Sequence, residues 1–142
     1  YFSAAKDSAE AQRALGQAGN VSVLIRRDSV GAFVAQGQIN GFGVEFLVDT
    51  GAAAVMLKYS DAEKAGFDVA QLTFSTPIQT ANGTIYAAPG RLRAINVGLI
   101  RVEDVEVLVA KPGSLKQNLL GMSFLRRLSS YALKGDFLTL RQ

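Results

Sequence analysis

The sequence predicts a mainly-β domain, and three observations predict it. From Val21 onward, short runs rich in Val, Ile, Phe and Thr alternate with turn dipeptides. Within 21–142 only two stretches, near residues 60 and 122, read as helix. Hydrophobic residues make up 49% and charged residues 19% of 142, which suits one core and argues against disorder.

The elements follow in order. Residues 1–20 are rich in Ala, Gln, Ser and Gly and read as an N-terminal linker or frayed helix ahead of a domain spanning 21–142. VSVLIRR (21–27) and AFVAQGQI (32–39) flank DSVG and are expected to pair as a hairpin. Asn40-Gly41 is a strong turn dipeptide because both residues tolerate positive φ. VEFLVD is the next strand, and AVML continues extended after Gly51. SDAEKAG (60–66) reads as a short helix with Ser60 as cap, Glu63 completing a capping box and Gly66 at its end. The stretch from Thr76-Pro77 to Tyr86 folds back around Ala81-Asn82-Gly83. RLRAINVG and EDVEVLVA make a strand pair, and KPGSLKQ is a loop. NLLGMSFLRRLSS contains a helix of one to three turns, and DFLTLRQ is the last strand. No internal repeat or second domain is visible.

Composition removes several functions. The net charge of +3 comes from 15 Lys and Arg against 12 Asp and Glu, scattered except for Arg26-Arg27 and Arg126-Arg127. With the aromatic residues mostly inside apolar runs, this argues against nucleic-acid binding, and Arg126-Arg127 reads as part of a solvated face. There is no His and no Cys, which excludes Ser-His and Cys-His nucleophiles, thiol redox chemistry and the usual zinc sites. A Ser60–Lys64 dyad is less economical than the capping box. Acid–base work would fall to carboxylates, Lys or Tyr. No apolar run is long enough to cross a bilayer, and the sequence starts at Tyr1. The expectation is a trimmed chain whose signal or anchor lies upstream.

One stretch carries chemistry: VEFLVDTGAAAVML, 44–57. A strand that reads as core ends in Asp49, Thr50 and Gly51. Gly51 lets backbone or ligand approach closely, and the Thr50 hydroxyl can brace a neighbouring loop. The bland reading is an ordinary turn, since Asp and Gly are turn formers. As chemistry, Asp49 is a candidate general base, but amide hydrolysis also needs an acid. No second Asp-Thr-Gly or Asp-Ser-Gly occurs. Two-fold symmetry is the simplest source of another carboxyl, and two Asp49 side chains at the axis would share one proton.

GQINGFGVEFLVDTGA resembles the hairpin and catalytic loop of retropepsin-like aspartic proteases. NLLGMSFL is similar to that family's second signature, and QTANGTIY stands where the family has its flap. The resemblance covers roughly residues 21–142 and is closest to the bacterial, often membrane-anchored branch. It implies a single-lobe acid-protease barrel with one or two short helices. It further implies an aspartic endopeptidase acting as a homodimer on protein or peptide substrate, without cofactor or metal. Asp49 would be catalytic, with Thr50 and Gly51 supporting the loop and Thr50 bonding across the subunits. Gly51, Ala52, Ala81, Asn82, Gly83, Leu120 and Gly121 would contact substrate, with Leu119 to Gly121 also packing behind the loop. The resemblance implies a periplasmic or cell-envelope location, with membrane attachment only through an upstream segment.

Two positions depart from the retroviral pattern: Ala53 and Met122 stand where those members carry an acidic residue and an Arg. Losing both leaves no orphaned charge but changes the expected dimer contact. Ala52, where pepsin-like enzymes have Ser, implies a less acidic optimum. The alternative reading is a non-catalytic dimerisation or peptide-binding module on the same fold. A further expectation is that residues 1–20 could block the cleft or the dimer contact until removed.

Overall fold

Asn40 and Gly41 set a tight hairpin. Both adopt positive φ, 49° and 85°, so a two-residue turn faces Ile39 with Phe42. The computed structural model describes residues 12–17, 20–80 and 82–142. The hairpin joins β3 (Val34–Ile39) to β4 (Phe42–Val48). There follow β5 (Val55–Leu57), helix α1 (Tyr59–Lys64), β6 (Thr76–Thr80), β7 (Gly83–Val97), β8 (Ile100–Ala110), β9 (Asn118–Leu120) and helix α2 (Met122–Leu125).

These strands lie in the order β3-β4-β9-β5-β8-β7-β6. A second pairing of β3, through Gly37–Ile39 to Ile95–Val97 of β7, closes six of them into a barrel, with β6 attached to β7 outside the ring. The contacts β4–β9 and β5–β8 are parallel and the others antiparallel. Alternation along β8 buries Ile100 and Val102 and, after a shift of phase at Asp104 with its φ of 56°, Val105, Val107 and Val109. The expected mainly-β barrel with two short helices is the observed architecture.

A second sheet holds the termini. Its order is β1 (Gln12–Gln17), β2 (Asn20–Arg26), β11 (Phe137–Arg141) and β10 (Ser130–Lys134), all antiparallel. Val23, Ile25, Leu138 and Leu140 from this sheet enter the same core as Phe46, Leu92 and Phe124 from the barrel. Each such side chain contributes about 1.5–3 kcal/mol when fully buried, so the two sheets stabilise one another.

Three local expectations are corrected. VSVLIRR and AFVAQGQI do not pair, because both edges of β2 are taken by β1 and β11. DSVG is a turn, but Asp28 Oδ1 accepts from the N–H of Val30 at 3.0 Å and of Ala32 at 2.8 Å. That side-chain turn passes the chain from one sheet to the other.

Gln12–Gln17, expected as linker or frayed helix, is a strand, because the open edge of β2 offers it backbone partners. It lies beside β2. The rest of that expected linker, 1–11 with 18 and 19, lies outside the described residues.

Ser60 does not cap α1. The helix starts one residue earlier, after Lys58, whose N–H is bonded by Asn118 Oδ1 at 2.9 Å. Gly66, at φ 105°, does end the helical stretch. Strand β10 carries no clear alternation in sequence, so no periodicity marks it. Among the described residues, no helix is long and apolar enough to cross a membrane.

Candidate active site

Asp49 follows β4 directly. Its N–H donates to Leu120 O at 3.2 Å, after Val48 N–H has donated to Phe33 O at 2.9 Å. The loop then tightens: Ala52 N–H donates to Asp49 O at 3.2 Å, and Gly51 N–H to Asp49 Oδ1 at 2.9 Å. One carboxylate oxygen is thereby fixed by a backbone amide. Asp49 is half-buried, whereas Thr50 and Gly51 are exposed.

The loop rests on β9 and α2. β9 inserts between β4 and β5, pairing Leu120 with Val48 and Leu119 with Met56. Met122 N–H donates to Ala52 O at 2.8 Å. Gly121 permits this approach, because a Cβ there would collide with Ala54 O and stand 2.7 Å from Ala52 O. The backbone of Gly121 is otherwise extended, so close contact is what demands glycine.

Two buried polar side chains complete the support. Ser123 Oγ accepts from Val55 N–H at 2.8 Å and donates to Glu106 O at 2.7 Å, tying the strand after the Asp49 loop to β8. Asn118 Nδ2 donates to Asp61 Oδ2 at 2.8 Å and to Glu45 O at 3.2 Å, while its Oδ1 takes Lys58 N–H. Sequence reasoning assigned no role to either residue. The available signal was a polar residue inside the apolar run NLLGMSFL, since buried polar groups are hydrogen-bonded.

The β6–β7 hairpin forms the opposite wall. Thr80 pairs with Gly83, and the Thr80 hydroxyl donates to Gly83 O at 2.7 Å and accepts Asn82 N–H at 3.2 Å. Between hairpin and loop lies a mainly apolar cleft of about 530 Å³. Its lining includes Asp49, Gly51, Ala52, Met56, Ile78, Thr80 and Leu119.

The expected contact residues separate into groups. Gly51 and Ala52 line the cleft with Asp49. Asn82 and Gly83 are exposed at the hairpin tip, Asn82 bordering an adjoining cavity that shares Thr80 and Leu119. Ala81 lies outside the described residues. Leu120 and Gly121 are buried behind the loop and do not line the cleft. Side chains alternate along β9, so Leu120 points to the core and Leu119 takes the cleft position. Among the described residues, no group of three or more carboxylates is placed to hold a metal ion.

Comparison with known proteins gives consistent results. A sequence model of the family described as "gag-polyprotein putative aspartyl protease" matches residues 35–127. An uncharacterized protein from the region 5′ of cobV in a Sinorhizobium species is 41% identical over 123 residues, 87% of this chain and 53% of its own. An uncharacterized protein of Rickettsia prowazekii (strain Madrid E) is 35% identical over 118 residues, 83% of this chain and 50% of its own. The chain thus spans about half the length of these curated relatives. Among solved structures, a retropepsin-like aspartic protease from Rickettsia conorii superposes with a TM-score of 0.77 at 31% identity, covering 92% of this chain and 94% of that one. EIAV protease complexed with the inhibitor HBY-793 shares the fold, at TM-score 0.58 and 19% identity over 71% of this chain and 91% of that one.

Proposed function

The chain belongs to the gag-polyprotein aspartyl protease family, and we propose that it is an aspartic endopeptidase whose reaction centre takes one Asp49 from each of two copies. One observation carries this reading: Asp49, held through Oδ1 by the Gly51 amide, lies at the edge of an apolar cleft facing a hairpin. Extended peptide fits such a cleft as an added strand, its side chains entering alternating pockets.

Two carboxyls brought together at a two-fold axis share one proton, because adjacent like charges cannot both be ionised easily. The ionised Asp49 takes a proton from a water molecule, whose oxygen bonds to the peptide carbonyl carbon. The protonated Asp49 of the other copy hydrogen-bonds the carbonyl oxygen and passes its proton to it as the tetrahedral centre forms. The C–N bond then breaks while the amide nitrogen receives the proton taken from water, and one hydroxyl of the tetrahedral centre returns its proton to the other carboxylate. Acid, amine and the singly protonated pair remain.

The surface beside the loop supports a symmetric partner. Edge strand β10 exposes Tyr131 and Leu133 on one face. The Tyr131 hydroxyl lies 3.7 Å from Met122 Sδ, and Met122 N–H bonds the Asp49 loop at Ala52 O. A copy docked on this apolar edge would sit close to Asp49, with exposed Thr50 within reach of it. The envelope location and upstream anchor belong to the same proposal, tested by fractionating cells that produce the full-length protein.

The test is cleavage of a peptide library by wild-type and Asp49→Asn protein. The expected loss is roughly 10²–10⁴-fold. Undiminished cleavage would end the proposal. Ala53 and Met122, lacking the retroviral ion pair, favour a second reading as a peptide-binding module without turnover. Binding without cleavage by wild type at any pH would select it.

A further inference from the structure

We infer that the cleft continues into a basic outer subsite that selects peptide substrates bearing an acidic side chain, with Arg126 as the specificity-determining cation. The inference rests on the peptide-cleaving reading above. A second cavity, about 630 Å³, shares Ala53, Ala54 and Leu108 with the Asp49 cleft, so the two form one trough. Ala53 and Ala54, immediately beyond the Asp49 loop, line both cavities with nothing larger than a methyl group.

The far end of the trough carries three charged groups: Arg91 from β7, Glu106 from β8 and Arg126 just after α2. Two of them are already matched. Arg91 Nη2 lies 3.3 Å from Glu106 Oε1, and its Nη1 lies 3.2 Å from Asp104 Oδ1. The neighbouring Arg127 is also committed, donating to Glu103 O at 3.0 Å and Asp104 O at 3.3 Å. Arg126 has no ion pair among the described residues, and it lines the cavity. The trough therefore ends on a guanidinium without an ion pair among the described residues, beside an Arg91 already shared between two carboxylates.

A substrate carboxylate reaching this point can accept two parallel hydrogen bonds from Arg126. An amide of the same shape forfeits the charge, and a lysine meets like charge. In a two-fold assembly each copy supplies one such end. Acidic residues are then favoured on both sides of the cleaved bond, outside the residues that flank it.

The experiment uses peptides of one cleavable sequence in which an outer position is Glu, Gln or Lys, scanned along both sides of the bond. Ratios of kcat/KM are measured for wild type, Arg126→Gln, Arg126→Glu and, as a charge control that lines neither cavity, Arg141→Gln. Wild type should prefer Glu over Gln by about five-fold at low salt, the size of a partly exposed ion pair. That ratio should fall to about unity in R126Q, turn toward Lys in R126E and persist in R141Q. A wild-type ratio near unity at every position, or one unchanged by R126Q, overturns the inference. Fluorescence anisotropy of the same labelled peptides separates this from the protease reading. If wild type cleaves nothing yet binds the Glu peptide more tightly in an Arg126-dependent way, the subsite stands and the protease reading falls. Binding that is absent or indifferent to charge overturns the subsite.

Discussion

Replacing Ser123 by Ala removes an oxygen that ties the end of the Asp49 loop to the barrel wall. The side chain is 4% exposed, so water does not readily take its place. Its hydroxyl makes two short bonds, one from Val55 N–H at 2.8 Å and one to Glu106 O at 2.7 Å. A neutral bond contributes about 0.5–1.5 kcal/mol net, and a buried donor left without a partner costs about 1–3 kcal/mol. Together the loss comes to about 2–4 kcal/mol, or about 6–12 °C in Tm at this chain length. Urea unfolding followed by circular dichroism, at one fixed protein concentration, gives the number. Ser129→Ala is the control: its Oγ bonds Arg141 O at 3.1 Å on an exposed surface, and it should stay within about 0.5 kcal/mol of wild type. If S123A also stays within about 0.5 kcal/mol, the bridge does not brace the loop and the account of the site's support is wrong.

Gly121→Ala should cost about 3 kcal/mol or more, because the new methyl collides with Ala54 O in a packed interior; wild-type-like denaturation would refute this. Asn118→Ala should destabilise by about 2–4 kcal/mol through the loss of its bonds to Lys58 N–H, Asp61 and Glu45 O, read from the same urea curves. Thr80→Val keeps the shape of the hairpin but removes the hydroxyl bonds to Gly83 O and Asn82 N–H. It should lower kcat/KM about three- to ten-fold with little change in the unfolding midpoint, since the tip is exposed. An equal fall in stability would mean that the tip is part of the core.

What the sequence revealed was mostly local. Asn40-Gly41 demands positive φ at two consecutive residues and so announces its hairpin, and Gly66 ends α1 in the same way. The apolar run into Asp49 reads as a buried strand because β4 does pack Val44 and Phe46 inward. The concealed features depend on residues far apart in the chain. Nothing in VSVLIRR says that its edges will be claimed by residues 12–17 and 137–141 before AFVAQGQI can reach them. Ser60 has the right spacing for a cap, but Asn118, distant in sequence, satisfies the N–H that opens the helix. Strand β10 is exposed throughout, so no alternation of apolar and polar residues marks it. In the site, the motif identified Asp49 and its loop, whereas alternation along β9 decides that Leu119 and not Leu120 meets the cleft.

A mixing titration tests the shared reaction centre most directly. Wild-type and D49N chains are combined in varying proportion at constant total concentration, allowed to exchange, and assayed for peptide cleavage. If both carboxyls of the pair are needed, activity follows the square of the wild-type fraction, because only pairs with two intact copies cleave. Activity that declines in simple proportion to that fraction would mean each chain works with its own carboxyl alone, and the two-copy mechanism would be abandoned.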